Sequence, residues 1–565
     1  MILSPESKIA SLTAAGHWGT DTIDDLFRAN ARAVPDRLAI ADAPNRSTFT
    51  DGPPRRLSYA ELDAFVDAVA AELLDRGVGR DDIVVIQMPN VVENAATLLA
   101  CSRLGAVASP VAVQYREHEL GFILGLLQPK AFVTLARVGE HRAAELARKL
   151  FPRVFSWGPG EASLDAIQPS AQASARVAAY LAEKRPGAND VVTICWTSGT
   201  EARPKGVPRS HNQWLSTGRV VASAPALGDG EVLLAPFPMI NMASIGGALM
   251  PWVLRRGTMI LHHPFDMPTF LGQTVKEGVT YNLLPPAVLN GLIKQKQLLA
   301  GLDLKKMRNV CSGSAPLAPW MVEAWQKEQG ICVVNFFGSN EGTALASAAV
   351  DVPDPVERAR FFPRFGVPGL SWSIDAALGF ETRLVDPVTG LVVTERGKEG
   401  ELCIRGSTVF DGYFREPELN RGAFDAEGYF HTGDLFTIEG EGAIPRFYKF
   451  VGRSKEIVIR GGQNISPAEV ENLLSSHPGV ADAACVGVPD ERLGEQLCAV
   501  VVARPGSEVT LPALTEHLRG LGVANFKWPE RLVVLPALPR NPVGKLVRRA
   551  LRDAALAAPA SGAPS

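Results

Sequence analysis

No Cys-x-x-Cys pair occurs in this chain. Its seven cysteines (Cys101, Cys195, Cys311, Cys332, Cys403, Cys485, Cys498) are odd in number, scattered and mostly flanked by apolar residues. That gives no disulfide framework and reads as buried free thiols in a reducing compartment. Charge of one sign is also lacking, since 57 Lys and Arg stand against 60 Asp and Glu for a formal net charge of -3. No bulk attraction to nucleic acid or anionic lipid follows, and small-molecule chemistry becomes the default. Residues 1–16 hold Glu6 and Lys8 and no sustained apolar core, so a secretory signal is not expected and a cytoplasmic location is. The longest uncharged run, 237–254, approaches the length of a membrane span but contains Pro238, Asn241, Ser244, Gly246, Gly247 and Pro251. It predicts no membrane span but a buried, broken helix lining a pocket. There is no internal repeat.

What the chain does have is length and alternation. At 565 residues it exceeds one hydrophobic core and should divide into domains. Tyr59 to Arg76 shows apolar residues at helical spacing, Asp82-Ile83-Val84-Val85-Ile86-Gln87-Met88 reads as a buried strand, and 93–104 is helical again. Such alternation predicts an α/β fold of parallel sheets covered by helices. Leu384-Val385-Asp386 and Glu401-Leu402-Cys403-Ile404-Arg405-Gly406, around the turn at Thr389-Gly390, read as strands of a separate β-rich layer. From about Gly452 the texture becomes that of a small α+β unit of about a hundred residues. The expected division is 1–452, 453–554, and a disordered tail 555–565 rich in Ala, Pro, Ser and Gly.

The most informative stretch is Thr197-Ser198-Gly199-Thr200-Glu201-Ala202-Arg203-Pro204-Lys205-Gly206. Glycines let a backbone approach an anion, hydroxyls and N–H groups donate to it, and Lys205 adds a point charge, which is the chemistry of a phosphate-holding loop. It is not a Walker A loop, so kinase and GTPase readings lose their main support. Four further motifs follow in order: Cys311-Ser312-Gly313-Ser314-Ala315-Pro316-Leu317 with Asn335-Phe336-Phe337-Gly338-Ser339-Asn340-Glu341-Gly342; Tyr429-Phe430-His431-Thr432-Gly433-Asp434-Leu435; Val451-Gly452-Arg453-Ser454-Lys455 through Arg460-Gly461-Gly462; and Pro539-Arg540-Asn541-Pro542-Val543-Gly544-Lys545-Leu546.

In this order the motifs resemble the adenylate-forming superfamily of acyl-CoA synthetases, peptide-synthetase adenylation domains and luciferases, over nearly the whole chain. The resemblance implies a large N-terminal domain binding ATP and a carboxylic acid, with a small mobile C-terminal domain carrying the catalytic lysine. ATP, Mg2+ and coenzyme A are the implied cosubstrates and metal. Thr197, Ser198, Gly199, Thr200 and Lys205 would hold the phosphates. Gly313, Ser314 and Ala315 offer adenine a flat face and Phe337 an aromatic one, within the segment Asn335, Phe336, Phe337, Gly338, Ser339 and Asn340; the amide oxygen of Asn335 suits the exocyclic amine. Asp434, helped by Arg453, would take the ribose hydroxyls. Glu341, with Thr200, would bind magnesium as a hard oxygen donor. Lys545 would enter the active site and stabilise charge as carboxylate and α-phosphate meet. Lys455 would be the hinge about which the small domain turns, bringing Gly461 and Gly462 to a pantetheine tunnel.

This chain departs from the family pattern at Glu201-Ala202, where Thr-Gly is common, and at Ile240-Asn241, where an aromatic and a histidine often stand. An acyl pocket is expected from Asn241, Met242, Ile245, Gly246 and Cys311, with no acid to meet an ammonium, which favours a hydrophobic monocarboxylic acid over an amino acid. Residues 110–120 look like those of cyclohexanecarboxylate and medium-chain ligases. The expected activity is that of an AMP-forming acid:CoA ligase, with a homodimer left open. The alternative is a stand-alone adenylating enzyme that hands its acyl group to a carrier protein; no carrier motif follows Lys545, which favours CoA. A nucleotide-sensing scaffold would lack Lys545 or Glu341, and both are present.

Overall fold

The computed structural model describes residues 1–558 except 198–203, 343, 375, 376, 378, 455, 461, 462, 491, 492, 524, 542 and 543. The expectations for Ser198, Gly199, Thr200, Lys455, Gly461 and Gly462 lie outside the described residues.

The apolar run after Asp82 forms the strand Ile83–Gln87, all five residues buried. It pairs in parallel with Val107–Pro110 on one side and Ala131–Leu135 on the other. Burial on both faces explains why the run is continuously apolar rather than alternating. This sheet has six strands, its edge closed by Lys205–Ser210 running antiparallel to Val191–Thr197. A second sheet of eight strands is parallel from Leu38–Ala41 to Cys332–Gly338 and carries an antiparallel strand at each edge. The helix Val92–Leu104 is buried along its entire length, and its charged residues are paired as buried charges must be, Glu93 with Arg46 and Arg103 with Asp24, Asp63 and Asp67. Tyr59–Asp75 begins, as its Ser58-x-x-Glu61 spacing allows, with a reciprocal capping box.

The broken helix expected in 237–254 is present in a specific form. Met242–Leu249 winds as a π-helix and Met250–Leu254 continues as α-helix with Pro251 in its first turn. The Asn241 side chain accepts from the Ala243 N–H, and the Tyr281 hydroxyl donates to the Gly247 carbonyl at 2.9 Å. A wider turn of this kind is rare and recurs at functional sites.

The β-rich layer is a six-stranded antiparallel sheet in the order Phe361–Pro363, Phe447–Arg453, Phe430–Glu439, Glu399–Gly406, Phe380–Val385, Val392–Val393. The proposed domain boundary at 452/453 falls at the last residue pair of that sheet, Asp434 with Arg453. Beyond it, Val458–Arg460, Val480–Asp490 and Gly494–Ala503 join a separate five-stranded sheet, flanked by the helices Pro467–Ser475, Leu511–Gly520 and Arg548–Ala557. The last helix corrects the expected tail. It continues to Ala557 and buries Leu551 and Ala555 against Val486, Val488 and Val500, because those small apolar side chains recur four apart on one face. Among the described residues no helix is long and apolar enough to cross a membrane. All seven cysteines are free thiols.

Candidate active site

Parallel strands deliver their C-terminal ends to one edge of a sheet, and ligands bind in the crevice outside those ends. Here Asn309–Gly313 and Cys332–Gly338 end side by side, Gly313 opposite Phe336. A Cβ on Gly313 would lie 2.3 Å from the Phe336 carbonyl oxygen, so only glycine permits this pairing. The chain then turns through Ser314 with φ +70°, a conformation that costs a non-glycine residue and marks functional turns. Both strand ends open onto a cleft of about 2230 Å³ between the two domains. Gly313, Ser314 and Ala315 form part of its wall, as do Asn335 to Glu341.

Each of the latter residues is held by something specific. Phe337 meets Phe436 edge-on at 5.1 Å and Phe450 at 5.7 Å, so its ring is fixed while still bordering the cleft. Asn335 donates its amide to the carbonyls of Arg358 and Ala359 at 3.2 and 3.1 Å, which leaves the oxygen as its acceptor. Asn340, which also borders the cleft, is fastened on three sides. Its amide donates to the Trp196 carbonyl (3.1 Å), accepts from the Met242 N–H (2.8 Å), and its own carbonyl accepts from buried Arg209 (2.9 Å). It is a joint between the strand Val191–Thr197 and the π-helix.

Thr197 and Lys205 are paired at the end of their two strands and both border the cleft. The Lys205 ammonium sits 5.0 Å over the ring of Tyr413. The Tyr413 hydroxyl in turn donates to Glu341 Oε1 at 3.1 Å, leaving Oε2 as a hard oxygen donor. Glu341 is nearly buried, and its carbonyl accepts from the Phe410 N–H at 2.9 Å. Sequence reasoning missed Tyr413 because nothing local ties an aromatic at 413 to an acid at 341. It missed Arg209 for a similar reason. That guanidinium is fully buried among the carbonyls of Gln213, Asn340 and Thr408, the Thr217 hydroxyl and the Trp214 ring. Burial lowers its pKa to about 10, which leaves it charged at neutral pH.

Asp434 and Arg453 face each other across two antiparallel strands, Nε to Oδ1 at 3.1 Å. Burial pushes the Asp434 carboxyl up to about 6; the Arg453 guanidinium and Lys545 ammonium pull it down, and Glu341 pushes it up. The turn before it is fastened by Glu401, whose two oxygens accept from the Gly433 N–H at 2.8 Å and pair with His431 Nδ1 at 3.0 Å. Lys545 arrives from the small domain on a tight turn. Gly544 has φ +82°, and the Asn541 side chain accepts from the Lys545 N–H at 2.9 Å. The lysine keeps surface open to the solvent in the cleft, yet atoms of both domains crowd it. That crowding lowers its pKa first, Arg453 lowers it further, and Glu341, Asp434 and Glu456 pull it back up.

Of the residues expected to form an acyl pocket, only some border the cleft. Asn241 and Met242 line it, whereas Ile245, Gly246 and Cys311 do not. Ile245 borders a separate small apolar cavity with Trp214 and Leu249. Gly246 faces Thr217 and Trp214, with a Cβ there reaching both at 3.3 Å. Cys311 is fully buried beside Tyr281, its thiol pKa raised by that burial. In an α-helix residues three and four after Met242 would share its face; the π-helix has a longer repeat, and Gly247, five residues on, is the one that reaches the cleft. Thr217, Val221 and Leu283 join it there.

The sequence model of the AMP-binding enzyme matches residues 27–414, well over half of the chain. The chain belongs to the AMP-binding enzyme family. The model of the family's C-terminal domain matches 469–545, ending on Lys545. Among relatives, the medium-chain fatty-acid–CoA ligase of Escherichia coli is 31% identical over 97% of this chain and 93% of its own length. The salicyl-AMP ligase / salicyl-S-ArCP synthetase of Mycobacterium tuberculosis is 30% identical over 97% of this chain and 93% of its own. The structure of ATP-bound MatB from Rhodopseudomonas palustris superposes with a TM-score of 0.75 at 28% identity, covering 94% of this chain and 99% of that one. The protein is thus an AMP-forming acid–thiol ligase of this family.

Proposed function

We propose that the protein activates a hydrophobic monocarboxylic acid as acyl-AMP and passes the acyl group to the thiol of coenzyme A. The observation that supports this most is geometric: Lys545 of the small domain lines the same cleft as Glu341 and Asp434 of the large domain. In the first half-reaction a carboxylate oxygen attacks the α-phosphorus of ATP, the bond to pyrophosphate breaks, and a mixed anhydride forms. Lys545 places a preorganised positive charge beside the oxygens where negative charge builds, and Lys205 with Tyr413 beneath it receives the polyphosphate. Asn335, Phe337 and the Gly313–Ala315 turn take the adenine, and Asp434 with Arg453 the ribose. Magnesium fits Glu341, whose Oε2 is left when Tyr413 holds Oε1; it would neutralise phosphate charge there. In the second half-reaction the sulfur attacks the acyl carbon, loses its proton, and AMP leaves. Rotation about Lys455 that withdraws Lys545 and admits the thiol past Gly461 and Gly462 belongs to this proposal.

The acid is read from Met242, Val221, Leu283 and Gly247, which favour an uncharged compact ring or medium chain. The medium-chain fatty-acid–CoA ligase supports both that acid class and CoA as acceptor. The salicyl-S-ArCP synthetase supports the second reading, transfer to a carrier protein. The experiment is ATP–pyrophosphate exchange over a panel of aliphatic, alicyclic, aromatic and amino acids, with acyl-CoA measured by mass when CoA is added. Exchange with a hydrophobic acid and appearance of its CoA thioester are expected. Exchange without any thioester would favour the carrier reading, and exchange with free amino acids alone would refute the pocket.

A further inference from the structure

Lys294 is the last residue of the large-domain helix Pro286–Lys294. Its ammonium crosses the cleft and donates at 2.6 Å to the carbonyl of Ser475, the last residue of the small-domain helix Pro467–Ser475. That carbonyl is one of the terminal acceptors that a helix cannot pair within itself, and it lies at the negative end of the helix dipole. From the large-domain side the ring of Trp320 supports the ammonium at 5.1 Å. From the small-domain side Arg504 repels it and Asp482 attracts it, Asp482 being itself paired with Arg540 at 2.6 Å. Burial, then Arg504, lower the Lys294 pKa to about 8, so the side chain is still mostly charged at neutral pH. A cation thus crosses from one domain to a helix end of the other, outside the residues that meet nucleotide or acid.

We propose that Lys294 is a positioning residue: docked on the C-terminal end of Pro467–Ser475, it holds the small domain in the orientation that presents Lys545 to Glu341 and Asp434. The proposal rests on the reading of Lys545 as the residue that serves acid activation. A rotation of the small domain that withdraws Lys545 and also carries Ser475 away from the ammonium breaks this contact, so it favours the first half-reaction over the second.

The test compares half-reactions in the full-length protein. Lys294→Met keeps the length of the side chain and removes the charge; Lys294→Arg keeps the charge. In Lys294→Met, ATP–pyrophosphate exchange should fall about tenfold, the loss expected for one charge-assisted hydrogen bond. Consumption of supplied acyl-AMP with CoA or pantetheine as thiol should be unchanged or faster, and Lys294→Arg should recover most of the exchange. A melting temperature within a few degrees of wild type would show that the variant is folded. Wild-type exchange in Lys294→Met, an equal fall in both half-reactions, or no recovery in Lys294→Arg would each overturn the proposal. A wild-type protein without exchange for any acid would instead overturn the reading of Lys545, and this one with it.

Discussion

Replacing Tyr413 by phenylalanine isolates one hydrogen bond. The ring stays beneath the Lys205 ammonium, 5.0 Å away, while the hydroxyl that donates to Glu341 Oε1 at 3.1 Å is removed. Glu341 is only 9% exposed, so water replaces the lost donor poorly. A hydrogen bond to a charged group contributes about 1.5–3 kcal/mol; taking the lower end for a distance of 3.1 Å gives about a tenfold loss in the rate of acyl-adenylate formation. Because the freed carboxylate oxygen is then unanchored, the magnesium concentration for half-maximal exchange should rise as well. Tyr413→Ala removes the ring too, and a partly desolvated cation–π contact adds about 1 kcal/mol, a further factor of about five. ATP–pyrophosphate exchange titrated with magnesium measures both variants. If Tyr413→Phe showed wild-type exchange and an unchanged magnesium titration, the link from Tyr413 through Glu341 to the phosphates would be refuted.

Lys545→Ala should slow acyl-AMP formation by about two to three orders of magnitude, the usual loss for one preorganised charge, and leave transfer from supplied acyl-AMP nearly intact; equal losses in single-turnover assays of both steps would contradict its role. Asp434 has a carboxyl pushed up to about 6, so it gains a proton as pH falls from 7 to 5 and ceases to be an acceptor on both oxygens. The apparent KM for ATP should therefore rise on acidification through about 6, and the rise should disappear in Asp434→Asn; an identical pH profile in that variant would rule the group out. Gly247→Val puts a side chain where even a Cβ would lie 2.6 Å from Leu283. It should shift the acid preference toward smaller homologues without changing the KM for ATP, and an unchanged acid profile would remove Gly247 from the pocket.

Local chemistry in the chain was sufficient for the elements and for much of the site. The apolar run at 83–87, the Ser58-x-x-Glu61 cap and the proline- and glycine-broken run at 237–254 each declare their structure through short-range periodicity and backbone preference, which do not depend on the rest of the fold. The motifs likewise carried Gly313, Asp434 and Lys545, all of which line one cleft. Packing decided what adjacency in sequence cannot express. Tyr413 meets Glu341 only because the connection between the strands Glu399–Gly406 and Phe430–Glu439 of the antiparallel layer reaches the end of the strand Cys332–Gly338 in the other sheet. Asn340 joins Trp196 to Met242 because those backbones converge on it. The phase of Met242–Leu249 turned Gly247 rather than Ile245 and Gly246 toward the cleft, a change of hydrogen-bond step that leaves no trace in composition. Lys294 reaches Ser475 only when two domains dock. Residue type sets what a side chain can do, but its partner across 72 or 181 residues of chain is set by how sheets and domains close, and that is a property of the tertiary structure alone.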